Sequence, residues 1–452
     1  MNIHFIALGG SIMHSLAIAL QDAGHTVTGS DDKFYNPSRA RLEAFNLLPE
    51  EGWHPERIHA NLDVVILGMH AFPDNPELLK AQELDLPIQS FPEFIYQQSK
   101  YKKRVVVAGS YGKTTTTGMI MHALQEAGKE FDYVVGAQIP GFDNPVRLSD
   151  TAPILVVEGD EYLASRIDPQ SKFLHYEADI ISISGLAWDH INVFPTLELY
   201  HETFRKLIKK IPENGLIIYN EKEADLKEMV AKEAPDKAIS IPYACPEYIV
   251  ERGKFVIHKN DIKYPLSMFG KHNMENMAAA AEICKNLGVG EDAFFSAMEH
   301  YQGAHLRQDI VIDQPGLRVY RDYAHAPDKV EATLNAVREL FPKSHITAVV
   351  ELHTFSSLDK NFLQNYSNTL RRADESIVIV DAQTLERKRK EPISEEEIFA
   401  YFNKRTIRYL QDVDHISAAI SHARAHGYGN HQVVLLMSSG NFGGMDIDKL
   451  AN

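Results

Sequence analysis

One nine-residue stretch constrains this chain more than any other. It is Gly109-Ser110-Tyr111-Gly112-Lys113-Thr114-Thr115-Thr116-Thr117, directly after the apolar run Arg104-Val105-Val106-Val107-Ala108. A β-branched run, a glycine turn and then Lys-Thr opening a helix is how a parallel α/β sheet builds a phosphate cradle. Backbone N–H groups at the helix start face the anion, the lysine reaches the outer phosphates, and a hydroxyl ligates Mg²⁺. The usual glycine-rich loop has a further glycine five residues before Gly112, where this chain has Val107. A shortened cradle is therefore expected. Four successive threonines are weak helix formers, so their place here costs helix propensity. Gly109, Ser110, Gly112, Lys113, Thr114 and Thr115 are read as phosphate-binding residues, with the Thr114 hydroxyl on Mg²⁺.

The flanking sequence alternates strand and helix. Ile3 to Leu8, Thr26 to Gly29 and Val64 to Leu67 read as strands, with helices at Met13 to Ala23 and Arg39 to Phe45, which implies a parallel sheet. After the polar stretch Gln97 to Lys103, strands are expected at Val105 to Ala108, Ile154 to Val157, Ile180 to Ile183 and Leu216 to Tyr219. A helix follows at Leu197 to Lys210, then three short alternating runs between Tyr248 and Tyr264, then a helix from Asn273 to Leu287. The last segment has strands at Leu317 to Tyr320, Ile346 to Val350, Ile377 to Val380 and Val433 to Leu436. A length of 452 residues suggests about three domains, placed at 1–100, 101–303 and 304–452. The expected fold class is α/β throughout.

A net charge of −16 argues against general affinity for nucleic acid or an anionic membrane. It leaves room for a phosphorylated substrate, held by helix N-termini and a few lysines. No apolar run is long enough to cross a bilayer. Cys245 and Cys284 lack metal-ligand spacing, so a reduced, cytoplasmic chain is expected. The run Glu386-Arg387-Lys388-Arg389-Lys390-Glu391 is mixed in sign and reads as a solvated loop, the alternative being a nucleotide or partner contact.

Further groups sit where strands end. Gly9-Gly10-Ser11 follows the first strand and Asp31 lies about twenty residues on, an incomplete dinucleotide pattern with Ala7 and Ile12 where glycine is usual. Glu158 and Asp160 end a buried strand, where Mg²⁺–nucleotide binds in α/β sheets, whereas Glu161 suits an ion pair. Asp189-His190 follows the strand at Ile180 to Ile183. Asn273 fits a helix N-cap, while the paired amides of Asn273 and Asn276 could read a base edge. Asp322 suits a ribose hydroxyl.

In this order the pieces resemble the Mur ligase family. Gly109 to Thr114 is similar to its G-T-x-G-K-T loop, Glu158-Gly159-Asp160-Glu161 to its E-x-D-E segment, and Asp189-His190 to its D-H pair. His272 to Asn276 is similar to its H-N-x-x-N, and Asp322 to Pro327 to its D-x-x-H-x-P. The resemblance covers essentially the whole chain. It implies an N-terminal Rossmann-like UDP-sugar domain, a central P-loop ATPase domain and a C-terminal Rossmann-like domain that together close on their ligands. The implied activity is ATP-dependent amide formation through an acyl phosphate, with ATP and Mg²⁺ as cofactors.

The implied roles are specific. Lys113, Glu158 and His190 are catalytic; Thr114, Glu158 and His190 hold metal; Asn273, Asn276, Arg307, Asp322 and His325 hold nucleotide; Gly10, Ser11 and Asp31 contact the UDP-sugar. The N-terminal sequence resembles the branch acting on UDP-N-acetylmuramate. Ser171 to Tyr176 and Met437 to Gly444 favour a recycled L-Ala-γ-D-Glu-diaminopimelate tripeptide as amine, over L-alanine. A monomer or weak homo-oligomer is expected. The competing readings are an ATPase or binding module without ligase activity, and a Rossmann oxidoreductase, which the missing glycines and Lys113 disfavour.

Overall fold

The computed structural model describes residues 1–188, 193–412, 415–418, 421 and 431–442. The chain forms two compact units, Met1–Ala244 with Asn276–Ala297, and Cys245–Glu275 with Met298–Asn452.

In the first unit, strand Asn2–Ile6 pairs in parallel with Thr26–Ser30 and Val64–Leu67, and Val64–Leu67 pairs with Ile88–Ser90. Both faces of this small sheet are covered, which is why Phe5 and Ile66 on one face and Ile6, Val65 and Leu67 on the other are all buried and the strands read as continuous apolar runs. A larger sheet follows in the order 239–243, 216–220, 180–183, 103–108, 154–158, 132–134 and 146–147. Strand Lys103–Ala108 is central, parallel to both Ile154–Glu158 and Ile180–Ile183. Three neighbouring strands therefore end together, at the edge where open α/β sheets bind ligands.

In the second unit, Tyr248–Glu251, Lys254–Lys259 and Ile262–Pro265 form an antiparallel sheet, as their alternation predicts. A second sheet has the order 309–314, 317–322, 432–437, 345–351, 375–379 and 407–410. Its first pair is antiparallel and the rest parallel. The α/β class and its parallel sheets are as expected. No described helix is long and apolar enough to cross a membrane.

Several strands escaped the sequence reading. Ile239–Tyr243 lies at a sheet edge, mostly exposed and containing Pro242, so it lacks the apolar signature of a central strand. Asp132–Val134 and Val146–Arg147 are too short to show a period. Two expectations need correction. The helix expected from Asn273 begins at Lys271, so Asn273 lies inside its first turn and is not the N-cap; its amide donates to Phe269 O over 2.9 Å. The run from Glu386 is not simply a solvated loop. Glu386 and Arg387 end the helix Ala382–Arg387, and Lys388 donates to His353 O. Local sign alternation could not show that its apolar stem meets a neighbouring loop.

Helix Leu197–Lys209 packs through Phe194, Tyr200, Phe204 and Phe173, whose ring centres follow at 5.4, 5.2 and 5.4 Å. Phe204 is fully buried. Phe204→Ala should destabilise the first unit by about 3–5 kcal/mol, measured as a lowered denaturant midpoint.

Candidate active site

The loop expected to bind phosphate is held open by two absent side chains. Gly109 has φ +116°, and a Cβ there would fall 2.6 Å from the Ser184 backbone nitrogen. Gly112 has φ +74°, and a Cβ there would press on the Asn276 amide, 2.9 Å from its Cγ. Helix Lys113–Glu126 starts at Gly112 with no side chain capping its first N–H groups. Those donors face the loop, which is the arrangement that attracts phosphate oxygens. Val107, where a longer loop would have glycine, lies inside the strand, and its carbonyl accepts from Gly159 N over 2.8 Å. The cradle is short because the strand runs further.

The loop is fastened from outside. Ser184 Oγ donates to Tyr111 O, Tyr111 OH donates to Glu223 over 2.8 Å, and Ser110 Oγ accepts from Ala187 N over 3.0 Å. The Ser110 side chain is thus engaged with the loop after strand Ile180–Ile183, and Ser110 N donates to Gly185 O. Ser184 and Glu223 were missed by sequence reasoning, because neither lies in a recognisable spacing with the cradle.

Lys113 points back into this frame. Its Nζ donates to Gly109 O over 2.7 Å and to Glu161 Oε2 over 2.8 Å. Burial works against the Lys113 charge, but Glu161, Asp160 and Glu158 outweigh it and hold the pKa above the usual lysine value. Glu161 is fully buried and also accepts from Tyr200 OH, the ion-pair role expected of it. Thr114 Oγ1 donates to Glu158 Oε1 over 2.9 Å, and Gly136 N donates to Glu158 Oε2 over 2.8 Å. Asp160 is drawn away, pairing with Lys172 at 2.6 Å. Glu158 is therefore the carboxylate presented with Thr114. Thr115 is buried in the helix's first turn. His190 lies outside the described residues, as does Asp189.

At the first strand's end, Gly10 precedes helix Ser11–Asp22, again with no side-chain cap, and Ser11 is exposed. Ala7, which stands where glycine is usual, takes the left-handed φ of +67° that glycine would provide, and Ala7 N and Leu8 N both donate to Ser30 O. Asp31 Oδ2 accepts from Gly9 N over 2.7 Å, so it organises the glycine turn. Burial, and then Asp32, push its pKa from 3.8 up to about 6.

In the second unit, buried Asp322 accepts from Gln308 N, Ala324 N and Thr333 Oγ1. Burial raises its pKa against the opposing pull of Arg307 and these donors. The Arg307 guanidinium lies 4.1 Å from the centre of the Tyr323 ring, and His325 Nδ1 lies 2.9 Å from Tyr323 O. Asp322, Arg307 and His325 thus form one cluster around a turn.

Comparison with known proteins is decisive. Residues 2–103 match the model of the Mur ligase family catalytic domain, 107–284 the Mur ligase middle domain, and 306–440 the Mur ligase glutamate ligase domain. The UDP-N-acetylmuramate–L-alanine ligase of Persephonella marina is 31% identical over 376 residues, 81% of this chain and 79% of that protein. The chain belongs to the Mur ligase family. Members are ATP-dependent amide-forming ligases, and this chain is an enzyme of that kind. The Escherichia coli UDP-N-acetylmuramate–L-alanyl-γ-D-glutamyl-meso-2,6-diaminoheptandioate ligase is 28% identical over 459 residues, covering 98% of this chain and 96% of that one. The solved UDP-N-acetylmuramate-alanine ligase of Thermotoga maritima has the same fold, with a TM-score of 0.73 at 20% identity, covering 100% of this chain and 98% of that one.

Two outcomes follow for this Mur ligase. Gly109→Ala should displace the cradle and lower kcat/KM for ATP about 10²-fold, read by steady-state kinetics. Because Asp31 binds its proton more tightly in the folded state, stability should fall as pH rises from about 4 to about 6. Asp31→Asn should remove that slope in denaturation curves across this range.

Proposed function

We propose that this Mur ligase joins the lactyl carboxylate of UDP-N-acetylmuramate to the amine of L-Ala-γ-D-Glu-meso-diaminopimelate, in peptidoglycan recycling. The observation that carries the chemistry is the cradle with Lys113 held beside Glu161 and Thr114 bonded to Glu158. For the amine, the support is the near full-length match to the Escherichia coli tripeptide ligase. The second reading, an L-alanine ligase, is supported by the 31% identity to the Persephonella marina enzyme.

A carboxylate is a poor electrophile toward an amine. Transfer of the γ-phosphoryl group to a carboxylate oxygen releases ADP and leaves an acyl phosphate. Attack of the amine at the acyl carbon then expels phosphate and loses one proton from nitrogen. The first step is phosphoryl transfer, where positioning and charge neutralisation dominate. Lys113 stays protonated at neutral pH and exchanges its contacts to Gly109 O and Glu161 for phosphate oxygens. The uncapped N–H groups of the helix orient those oxygens. Thr114 and Glu158 are both oxygen donors, 2.9 Å apart, which fits a hard divalent cation. Mg²⁺ held there supplies neutralisation of phosphate charge, and His190 is proposed as a further ligand.

Asn276 beside Gly112 is proposed for the adenine, with Asn273, Arg307, Asp322 and His325 as nucleotide residues of the second unit. Gly10, Ser11 and Asp31 are proposed to contact the UDP-sugar. Domain limits of 1–100, 101–303 and 304–452 belong to the same proposal.

The test is ADP and phosphate release with ATP, Mg²⁺ and UDP-N-acetylmuramate, with no amine, with L-alanine or with the tripeptide. Tripeptide-dependent turnover is expected. Turnover with L-alanine and none with tripeptide would overturn the preferred amine, and amine-independent turnover would indicate an ATPase. Lys113→Ala should abolish amide formation in a protein that still unfolds cooperatively, with a lowered thermal midpoint because the buried Glu161 loses its counter-charge.

A further inference from the structure

We propose that Glu93, Asp168 and His175 form a binding site for a divalent transition-metal ion, Zn²⁺ being the ion they suit best. The site is separate from the Thr114–Glu158 pair and does not depend on the ligase reading. Glu93 lies in the first turn of helix Phe91–Ser99, Asp168 in the loop that follows strand Ile154–Glu158, and His175 ends the short 3₁₀ helix Lys172–His175. One ligand atom from each lies within 4.8 Å of the other two, and no other three His, Cys, Asp or Glu side chains gather in this way among the described residues.

The surrounding fold, not the cluster itself, brings the three together. Phe94 and Ile95 on the helix share one core with Phe173 and Leu174. Glu93 Oε2 accepts from Ser90 N and from Ser90 Oγ, each over 2.7 Å, which closes the helix cap and sets the direction of the side chain. Asp168 Oδ1 accepts from Gln170 N over 3.0 Å, and Asp168 N donates to Ser165 Oγ over 3.0 Å. Each carboxylate thus commits one oxygen to its own turn and keeps the other.

The decisive group is His175. Its side chain is 10% exposed, and Nε2 lies 2.9 Å from Asp168 Oδ2 and 3.2 Å from Gln170 Nε2. One nitrogen cannot answer both neighbours. With a proton it serves the carboxylate and opposes the amide N–H; with a lone pair it serves the amide and opposes the carboxylate. A cation removes the conflict, because nitrogen and carboxylate both aim lone pairs at it while the half-buried Gln170 side chain turns aside. The spacing agrees, since two atoms 2.9 Å apart subtend about 90° at a cation bonded to each over about 2.1 Å. An imidazole with two carboxylates suits Zn²⁺ and its d-block neighbours, whereas Mg²⁺ favours an all-oxygen shell and keeps several waters. Water completes the shell past Asp168, whose side chain is 29% exposed. Bound there, the ion ties helix Phe91–Ser99 to the loop that carries Lys172, the partner of Asp160.

The test uses the full chain stripped of metal and titrated with Zn²⁺ by calorimetry, in excess Mg²⁺ to fill the proposed Thr114–Glu158 site. Hydrogen exchange with and without Zn²⁺ locates the ion. The variants are His175→Gln, Asp168→Asn and Glu93→Gln, the last of which keeps an oxygen for the helix cap. Wild type should bind one equivalent, with slowed exchange in 91–99 and 163–175 and a raised thermal midpoint. Loss of an outer-shell partner already costs about 10–100-fold in metal affinity, so His175→Gln should raise the Kd for Zn²⁺ about 100-fold or more, and each carboxylate variant about tenfold or more. The exchange and thermal effects should disappear with the affinity.

No saturable Zn²⁺ binding to wild type overturns the inference. So does a Kd that is unchanged in all three variants, or exchange protection confined to other segments. If His175→Gln does not unfold cooperatively, Glu93→Gln decides, because its cap with Ser90 is retained, and an unchanged Kd there overturns the site. None of these measurements involves turnover, so their failure leaves the ligase reading standing.

Discussion

The loop from Gly109 to Gly112 exists because two positions on its path carry no Cβ. At Gly109 the backbone passes against Ser184, and at Gly112 it turns left-handed against Asn276. Any side chain at either point collides with main chain or with a buried amide. The rest of the site is arranged around that path. The strand before it sits at the sheet centre, and the helix after it is buried from Thr114 to Leu124 except at His122. Ser184, Tyr111 and Glu223 fasten the loop from the neighbouring strand and turn. The uncapped N–H donors at the helix start are thus fixed by the fold itself, the preorganisation that the proposed phosphoryl transfer requires.

Charge is managed within that frame by pairing. Lys113 is largely enclosed and would lose its proton readily if left alone. Glu161 beneath it keeps it charged, and Tyr200 in turn holds Glu161. The aromatic packing of Phe173, Phe194 and Phe204 places Tyr200, so a stability feature of one helix reaches the cationic centre. At the first sheet, Asp31 bonds to Gly9 N while Ala7 takes the strained left-handed conformation. A turn with alanine at its left-handed position is maintained there by a buried carboxylate on Gly9 N and two amide hydrogen bonds to the Ser30 carbonyl.

Much of this was legible in the residues. The strand-glycine-Lys-Thr pattern, the acids after Val157 and the alternating runs from Tyr248 all stand where local pattern put them, because each is a short-range signal. The short edge strands were not legible, since exposed edges and two- or three-residue strands carry no period. The start of the helix at Lys271 was also missed, because Gly270 supplies the left-handed turn and Asn273 turns its amide back to Phe269. The mixed-sign run from Glu386 looked solvated because sequence cannot show which loop a long cationic side chain crosses.

The sequence by itself determined a strand, a glycine loop and a Lys-Thr helix start, the α/β class and the order of the family's motifs, all encoded by residue type and spacing along the chain. The tertiary structure alone decided which acid serves which donor. Glu161 takes Lys113, Glu158 takes Thr114 and Gly136, and Asp160 is diverted to Lys172. Lys113 and Glu161 lie 48 residues apart in sequence and Thr114 and Glu158 lie 44 apart, and the parallel pairing of strands 103–108 and 154–158 sets these side chains within hydrogen-bonding distance.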